Sequence, residues 1–194
     1  MPIEIEKKYQ LTPDQKKKII SRLRELGIKR LKKEFEENTL YTGPNLDVRT
    51  AVVRIRKIGN RTILTYKRRF VSSDTIKRQL EEETEVSNSE AIKSILKLLG
   101  LSPSVIYEKR RETWRIGQTE LVIDELPFGL FMEIEGSAAG IRKLEKDLLL
   151  KGIRAENQTY PQLARKHGKA NGPVIESRFN KKRIDRGQFL SGNR

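Results

Sequence analysis

Charged side chains recur at every second position along several short β-compatible stretches, and that alternation restricts the fold more than any other property of the chain. In residues 3–9, Glu4, Glu6 and Lys8 project to one side of an extended strand. Ile3, Ile5 and Tyr9 project to the other, with Lys7 among them. One such strand alone would be an ordinary antiparallel strand with a wet face. Repetition changes the inference. Arg54 and Arg56 share a face in residues 51–57, as do Thr65, Lys67 and Arg69 in 62–69, Lys109 and Arg111 in 105–114, and Glu133 and Glu135 in 130–136. Rows of both signs on five strands are too many to be surface decoration.

Turn and cap residues divide the chain. Thr12-Pro13-Asp14-Gln15 is a capping box with proline at the first helical position; the helix it opens is striped by Ile19, Ile20, Leu23 and Leu26 and stops at Gly27. Its Lys16-Lys17-Lys18 run reads as a solvated face. A strand over 35–41 is broken at Thr42-Gly43-Pro44-Asn45, and Gly59-Asn60 joins 51–57 to 62–69 as a hairpin. In a further strand over 76–86, Glu81, Glu83 and Glu85 fall in one register and Arg78, Leu80, Glu82 and Thr84 in the other, and the run leaves open which faces inward. Ser87-Asn88-Ser89-Glu90 reads as a second capping box, opening a helix with Ile92, Ile95, Leu96 and Leu99 inward and Gly100 at its end. Gly117 turns 105–114 back into 120–125, and 130–136 follows Pro127 and Gly129. A third helix over 137–151 carries Ile141, Leu144 and Leu148. Thr159-Tyr160-Pro161-Gln162 caps a short fourth one ending near Gly168.

Hairpin-linked strands of this kind predict an α+β fold: an antiparallel sheet that curls into a closed or nearly closed β-barrel, with helices packed outside. The aliphatic faces pack outward onto the Leu- and Ile-striped helices, and the charged faces line an interior. Burying that many unpaired charges costs several kcal/mol per ion, so the interior has to be wet, internally paired and occupied by a charged ligand.

Composition narrows what the ligand and its setting can be. No apolar run approaches the roughly 20 residues of a membrane span, and no signal peptide opens the chain. With no cysteine and one histidine, disulfides and soft-metal centres are excluded; a reducing cytoplasm and a hard, oxygen-held cation such as Mg2+ or Mn2+ are expected. The net charge of +15 invites a polyanion, and part of the excess falls in residues 169–194, read as a basic, flexible C-terminal tail. Nucleic acid is expected to bind, if at all, only through that tail.

The basic row comprises Lys8, Arg54, Arg56, Lys67, Arg69, Lys109 and Arg111. The acidic row comprises Glu4, Glu6, Asp124, Glu133 and Glu135, with Glu81, Glu83 and Glu85 in reserve. Guanidinium and ammonium groups match phosphate oxygens, and carboxylates two apart on a strand can share one divalent cation. Both together suit a polyphosphate that carries its own metal. There is no Walker-type loop and no Ser or Cys nucleophile motif, which favours metal-assisted attack by water or by a hydroxyl of the substrate.

Glu4-Ile5-Glu6-Lys7-Lys8 resembles the Glu-x-Glu-x-Lys signature of the CYTH, or triphosphate tunnel, superfamily. Val53-Arg54-Ile55-Arg56, Leu64-Thr65-Tyr66-Lys67, the acidic strand through Glu85, Lys109-Arg110-Arg111, Val122-Ile123-Asp124-Glu125 and Phe131-Met132-Glu133-Ile134-Glu135 follow in the family's order. The resemblance covers residues 1–168. It implies a barrel holding a nucleotide, inorganic or organic triphosphate, with Glu4, Glu6, Asp124, Glu133 and Glu135 on Mg2+ or Mn2+. Lys8, Arg54, Arg56, Lys67, Lys109 and Arg111 would grip phosphates, and Glu4, Glu6, Lys8 and Lys67 would form the catalytic set. Class IV adenylate cyclases, thiamine triphosphatases and inorganic triphosphatases are members. The segments Glu37–Tyr41 and Leu126–Gly129 resemble bacterial chains of the cyclase group, with triphosphate hydrolysis the alternative. One departure is Thr42, where the family often has aspartate. Outside the motifs, Arg69, Arg110 and Glu82 read equally well as surface charges, His167 as a capping or solvated residue, Trp114 as core or rim, and Tyr160 as near the site or as packing.

Overall fold

In the computed structural model, which describes residues 3–70 and 76–180, the strands close on themselves. They are β1 Ile3–Leu11, β2 Arg30–Thr42, β3 Ala51–Ile58, β4 Arg61–Arg69, β5 Lys77–Glu85, β6 Ser102–Ile116, β7 Thr119–Leu126 and β8 Gly129–Glu135. Antiparallel pairing runs β2-β3-β4-β5-β1-β8-β7-β6, and β6 pairs back onto β2, giving the expected eight-stranded barrel. The closing pair is long, from Arg30↔Trp114 to Thr42↔Ser102. Strand β2 therefore begins at Arg30 and not near residue 35, and β6 at Ser102 and not 105. Lys32 and Lys33 show no apolar alternation, and their extended state comes from pairing with β6.

Four helices lie outside: α1 Pro13–Glu25, α2 Ser89–Leu98, α3 Ala138–Asp147 and α4 Tyr160–His167. The Thr12 and Thr159 capping boxes form as the sequence indicates, each with proline in the first turn. At α2 the cap is Asn88, whose Oδ1 accepts from the Glu90 and Ala91 amides, so the Ser87 box is corrected. Helix α3 ends before Leu148, short of the expected residue 151.

Apolar packing sits on the outer wall. Ile5, Tyr9, Trp114, Leu121, Ile123, Met132 and Ile134 meet Ile19 and Leu23 of α1 and Ile141 and Leu144 of α3. Each fully buried Leu or Ile in this layer contributes about 2 kcal/mol. Trp114 belongs to it and faces away from the bore. Helix α2 covers Tyr41 and Ile55 chiefly with Leu96; Ile95 and Leu99, expected inward, are exposed. Helix α4 closes one end of the barrel, laying Tyr160, Leu163 and Ala164 against Leu40, Tyr107 and Phe131.

Residues 169–180 are not a free tail. Strands β9 Lys169–Asn171 and β10 Val174–Ser177 form a hairpin around Gly172, and β10 pairs in parallel with Val105–Tyr107, continuing the edge where β7 stops. Arg178 then reaches Glu37, Glu108 and Glu176, and Phe179 packs on Phe35 under the Arg110 guanidinium. Charge count alone does not reveal this hairpin. Residues 181–194 of the expected tail lie outside the described residues. Among the described residues no helix is long and apolar enough to cross a membrane.

Candidate active site

The alternation of the strands turns one face of each into the bore, producing a cavity of about 380 Å3. Glu4, Glu6 and Lys8 of β1, Arg54 and Arg56 of β3, Lys67 and Arg69 of β4, Lys109 and Arg111 of β6, and Glu133 and Glu135 of β8 all line it. Glu81 and Glu83 line it too, which resolves the register of β5; Glu85 does not. Arg69, read as equally suited to the surface, is in the lining, whereas Arg110 stands on the outer wall paired with Glu125. His167 stacks on Phe128, away from the bore.

Strand order sorts the charges. β3 and β6 flank β2, so Arg54, Arg56, Lys109 and Arg111 gather around Glu36, which is 1 % exposed. Glu36 lies 3.2 Å from the Lys109 ammonium, 3.8 Å from Arg56 and 3.9 Å from Arg111. Burial alone would push the Glu36 carboxyl up, but Lys109, Arg111 and Arg56 hold it well below the usual carboxylate range. Burial, aided by the Arg111 charge, pushes the Lys109 amine down to about 8. The sequence reading missed Glu36; its strand alternation, with Asn38 and Leu40, was the available signal.

Opposite stands the acidic wall of β5, β1 and β8. Glu4 Oε2 accepts from Lys67 Nζ at 2.8 Å and from Gln79 Nε2 at 2.6 Å, and Lys67 also reaches Glu81 at 2.6 Å. Burial, then the neighbouring Glu4, pushes Glu81 up to about 7 and Glu135 up to about 8. Burial and Glu133 push Glu6 up. Lys8 lies 3.4 Å from Glu133, donates to the Gln158 carbonyl at 3.2 Å, and sits 3.8 Å above the Tyr160 ring.

Asp124 differs from the other acids. It has the inward register but does not line the cavity; it is fully buried and accepts from Arg111 Nε at 2.8 Å and Nη2 at 2.6 Å. Tyr160 Oη donates to it at 2.9 Å, and Lys109 is 3.6 Å away. With its oxygens so occupied, it orients Arg111, which extends on to Glu133 at 2.8 Å. Thr65, placed on the Lys67 face by register but given no site role, accepts from Arg54 Nη2 and donates to Glu83.

Buried donors without partners show what this interior is built to receive. The Nε atoms of Arg54 and Arg56 make no hydrogen bond, nor does Lys77 Nζ at the start of β5. Native interiors satisfy such groups, so cationic donors left without a hydrogen bond in or beside a tunnel wall mark a place for an anion. No group of three or more acidic or imidazole side chains among the described residues converges tightly enough to hold a metal as it stands. Yet Glu135, pushed up to about 8 by burial and then by Glu4 beside it, would be relieved by a divalent cation, so the donor set fits a hard metal.

Comparison with known proteins agrees with this geometry. The CYTH domain family matches residues 2–160. A chain from Methanocaldococcus jannaschii, bearing the provisional name of an adenylate cyclase, is 31 % identical over 170 residues, covering 84 % of this chain and 95 % of the relative. A solved protein from Pyrococcus horikoshii superposes with a TM-score of 0.69 at 26 % identity, over 84 % of this chain and 99 % of its own. A provisionally named adenylyl cyclase from Hippeastrum, described as having a dominant triphosphatase activity, shares the fold with a TM-score of 0.67 at 19 % identity, over 86 % and 96 %.

Proposed function

The chain belongs to the CYTH domain family, and from that premise we propose that it is a divalent-metal-dependent enzyme that processes a triphosphate held in the bore of its barrel. The observation that carries this reading is the pair of buried, unpartnered Arg54 and Arg56 donors on a wall facing the crowded carboxylates of β1 and β8. Arg54, Arg56, Lys109 and Arg111 grip the phosphates from one side, and Lys8 and Lys67 from the other. Glu4, Glu6, Glu133 and Glu135 are the residues that would hold Mg2+ or Mn2+, which supplies charge neutralisation and polarises the reacting P–O bond. Asp124 serves as the anchor of Arg111 and Lys109 and not as a metal ligand. Positioning and charge neutralisation by such a cage supply most of what phosphoryl chemistry needs.

Two reactions use the same cage. Class IV adenylate cyclase chemistry, in which the ribose 3′ oxygen attacks the α-phosphorus and pyrophosphate leaves, is supported by the name of the archaeal relative. Hydrolysis is favoured by the lining: its aromatic rings, Tyr107 and Tyr160, are buried against each other, leaving no free ring face in the lining for an adenine. The test is to incubate the protein with ATP, tripolyphosphate or thiamine triphosphate and either metal. The reading requires turnover of a triphosphate that is abolished by E4Q and by E135Q. Cyclic AMP as the product selects the cyclase, and orthophosphate the hydrolase. A third reading, an RNA-binding protein with an inactive tunnel, predicts no turnover and salt-sensitive RNA binding that survives both substitutions.

A further inference from the structure

Lys77 belongs to none of the sequence motifs and lies just behind the cavity lining, yet it is the first residue of β5 and shares the inward register of Gln79, Glu81 and Glu83, which do line the bore. It pairs across the sheet with Glu6, and its ammonium lies 3.9 Å from Glu6 Oε1, beyond hydrogen-bonding range. Its Nζ is shut off from solvent and makes no hydrogen bond among the described residues. Arg69, which lines the cavity one strand over, and Lys8 are close enough for their charges to act on the same Glu6 carboxylate. Three cations thus converge on one carboxylate at the α4 end of the bore. An ammonium buried without a hydrogen bond is costly, and the charges of Glu6 and Glu133 offset it only in part among the described residues. The arrangement lacks an oxyanion with several acceptor oxygens.

The geometry points to a separate anion subsite at this end, formed by Lys77 and Arg69 with Lys8, that takes one phosphate of the substrate apart from those held by Arg54, Arg56, Lys109 and Arg111. The inference rests on the triphosphate reading and deepens it: the chain of phosphates is held at both ends of the bore, so its length, and not only its charge, decides what fits.

The experiment is calorimetric titration of inorganic tripolyphosphate into the full chain in EDTA, then in magnesium, for the wild type, K77M, K77R and R69M. Without metal, direct anion contact is read apart from any effect through Glu6. K77M and R69M are each expected to weaken binding about tenfold in EDTA, the size of one charge-assisted contact, while K77R stays within about threefold. Binding by K77M and R69M within about twofold of the wild type overturns the subsite, as does a loss confined to the magnesium titration. A wild type that binds tripolyphosphate in neither buffer removes the triphosphate reading itself. Wild-type binding with both variants unaffected removes only the subsite. R69M keeps the test decisive if K77M does not fold.

Discussion

Glu36 shows how a single carboxylate can hold a cationic wall together. With Lys109, Arg56 and Arg111 around it, replacing it by an amide leaves buried positive charge under-compensated, and E36Q is expected to lower stability by about 3 kcal/mol in denaturant titrations. Its pH dependence has a definite sign. The folded carboxyl binds its proton more weakly than the unfolded one, whose value is near 4.5, so the unfolded chain takes up the proton first. The stabilisation is complete above about pH 4.5 and is lost as the pH falls below it. The wild-type denaturation midpoint should fall over that window, and E36Q should show a shallower fall. In the sequence, Glu36 was hidden by its neighbours: Phe35 reads as the buried residue and Glu36 as the exposed one. A barrel with a charged bore inverts that order, leaving Phe35 48 % exposed and Glu36 sealed. Asp124 was legible as a bore residue by register, but its depth behind Arg111 depends on packing that no spacing encodes.

At the level of elements, strand periodicity and capping signals gave nearly every strand and helix, because both are local. What they missed was formed by distant partners: the start of β2 against β6, and the hairpin β9–β10 on Val105–Tyr107. That hairpin makes truncation informative. Ending the chain after Asn180 keeps every described residue and should leave the melting temperature within about 1 °C. Ending it after Gly168 opens the β6 edge and removes Arg178 from its three carboxylates and Phe179 from Phe35. That should cost about 2 kcal/mol, roughly 5 °C, read by thermal unfolding. A surviving melting temperature would mean that the hairpin only rests on the barrel.

For the whole molecule, the distribution of charge separates two kinds of anion binding. Carboxylates and cations line the bore in equal numbers among the described residues, so the excess of +15 lies outside it. Outer charges are screened within about 8 Å at physiological salt, and buried ones far less. Raising salt from about 0.05 to 0.5 M should strip a single-stranded RNA from the surface by several orders of magnitude. Tripolyphosphate in the bore should lose much less, with anisotropy and calorimetry reading the two. Equal loss of both would place tripolyphosphate on the surface as well.

The ring of strands also dictates an order of events during synthesis. Strand β1 is translated first but has no neighbour until β5 appears, and its other edge waits for β8, where Leu11 meets Leu130. Until the ribosome has released that segment, the sheet stays an unsealed ribbon with two bondable margins. Its cyclisation joins residues far apart along the chain, so maturation should be slow and vulnerable to self-association while nascent.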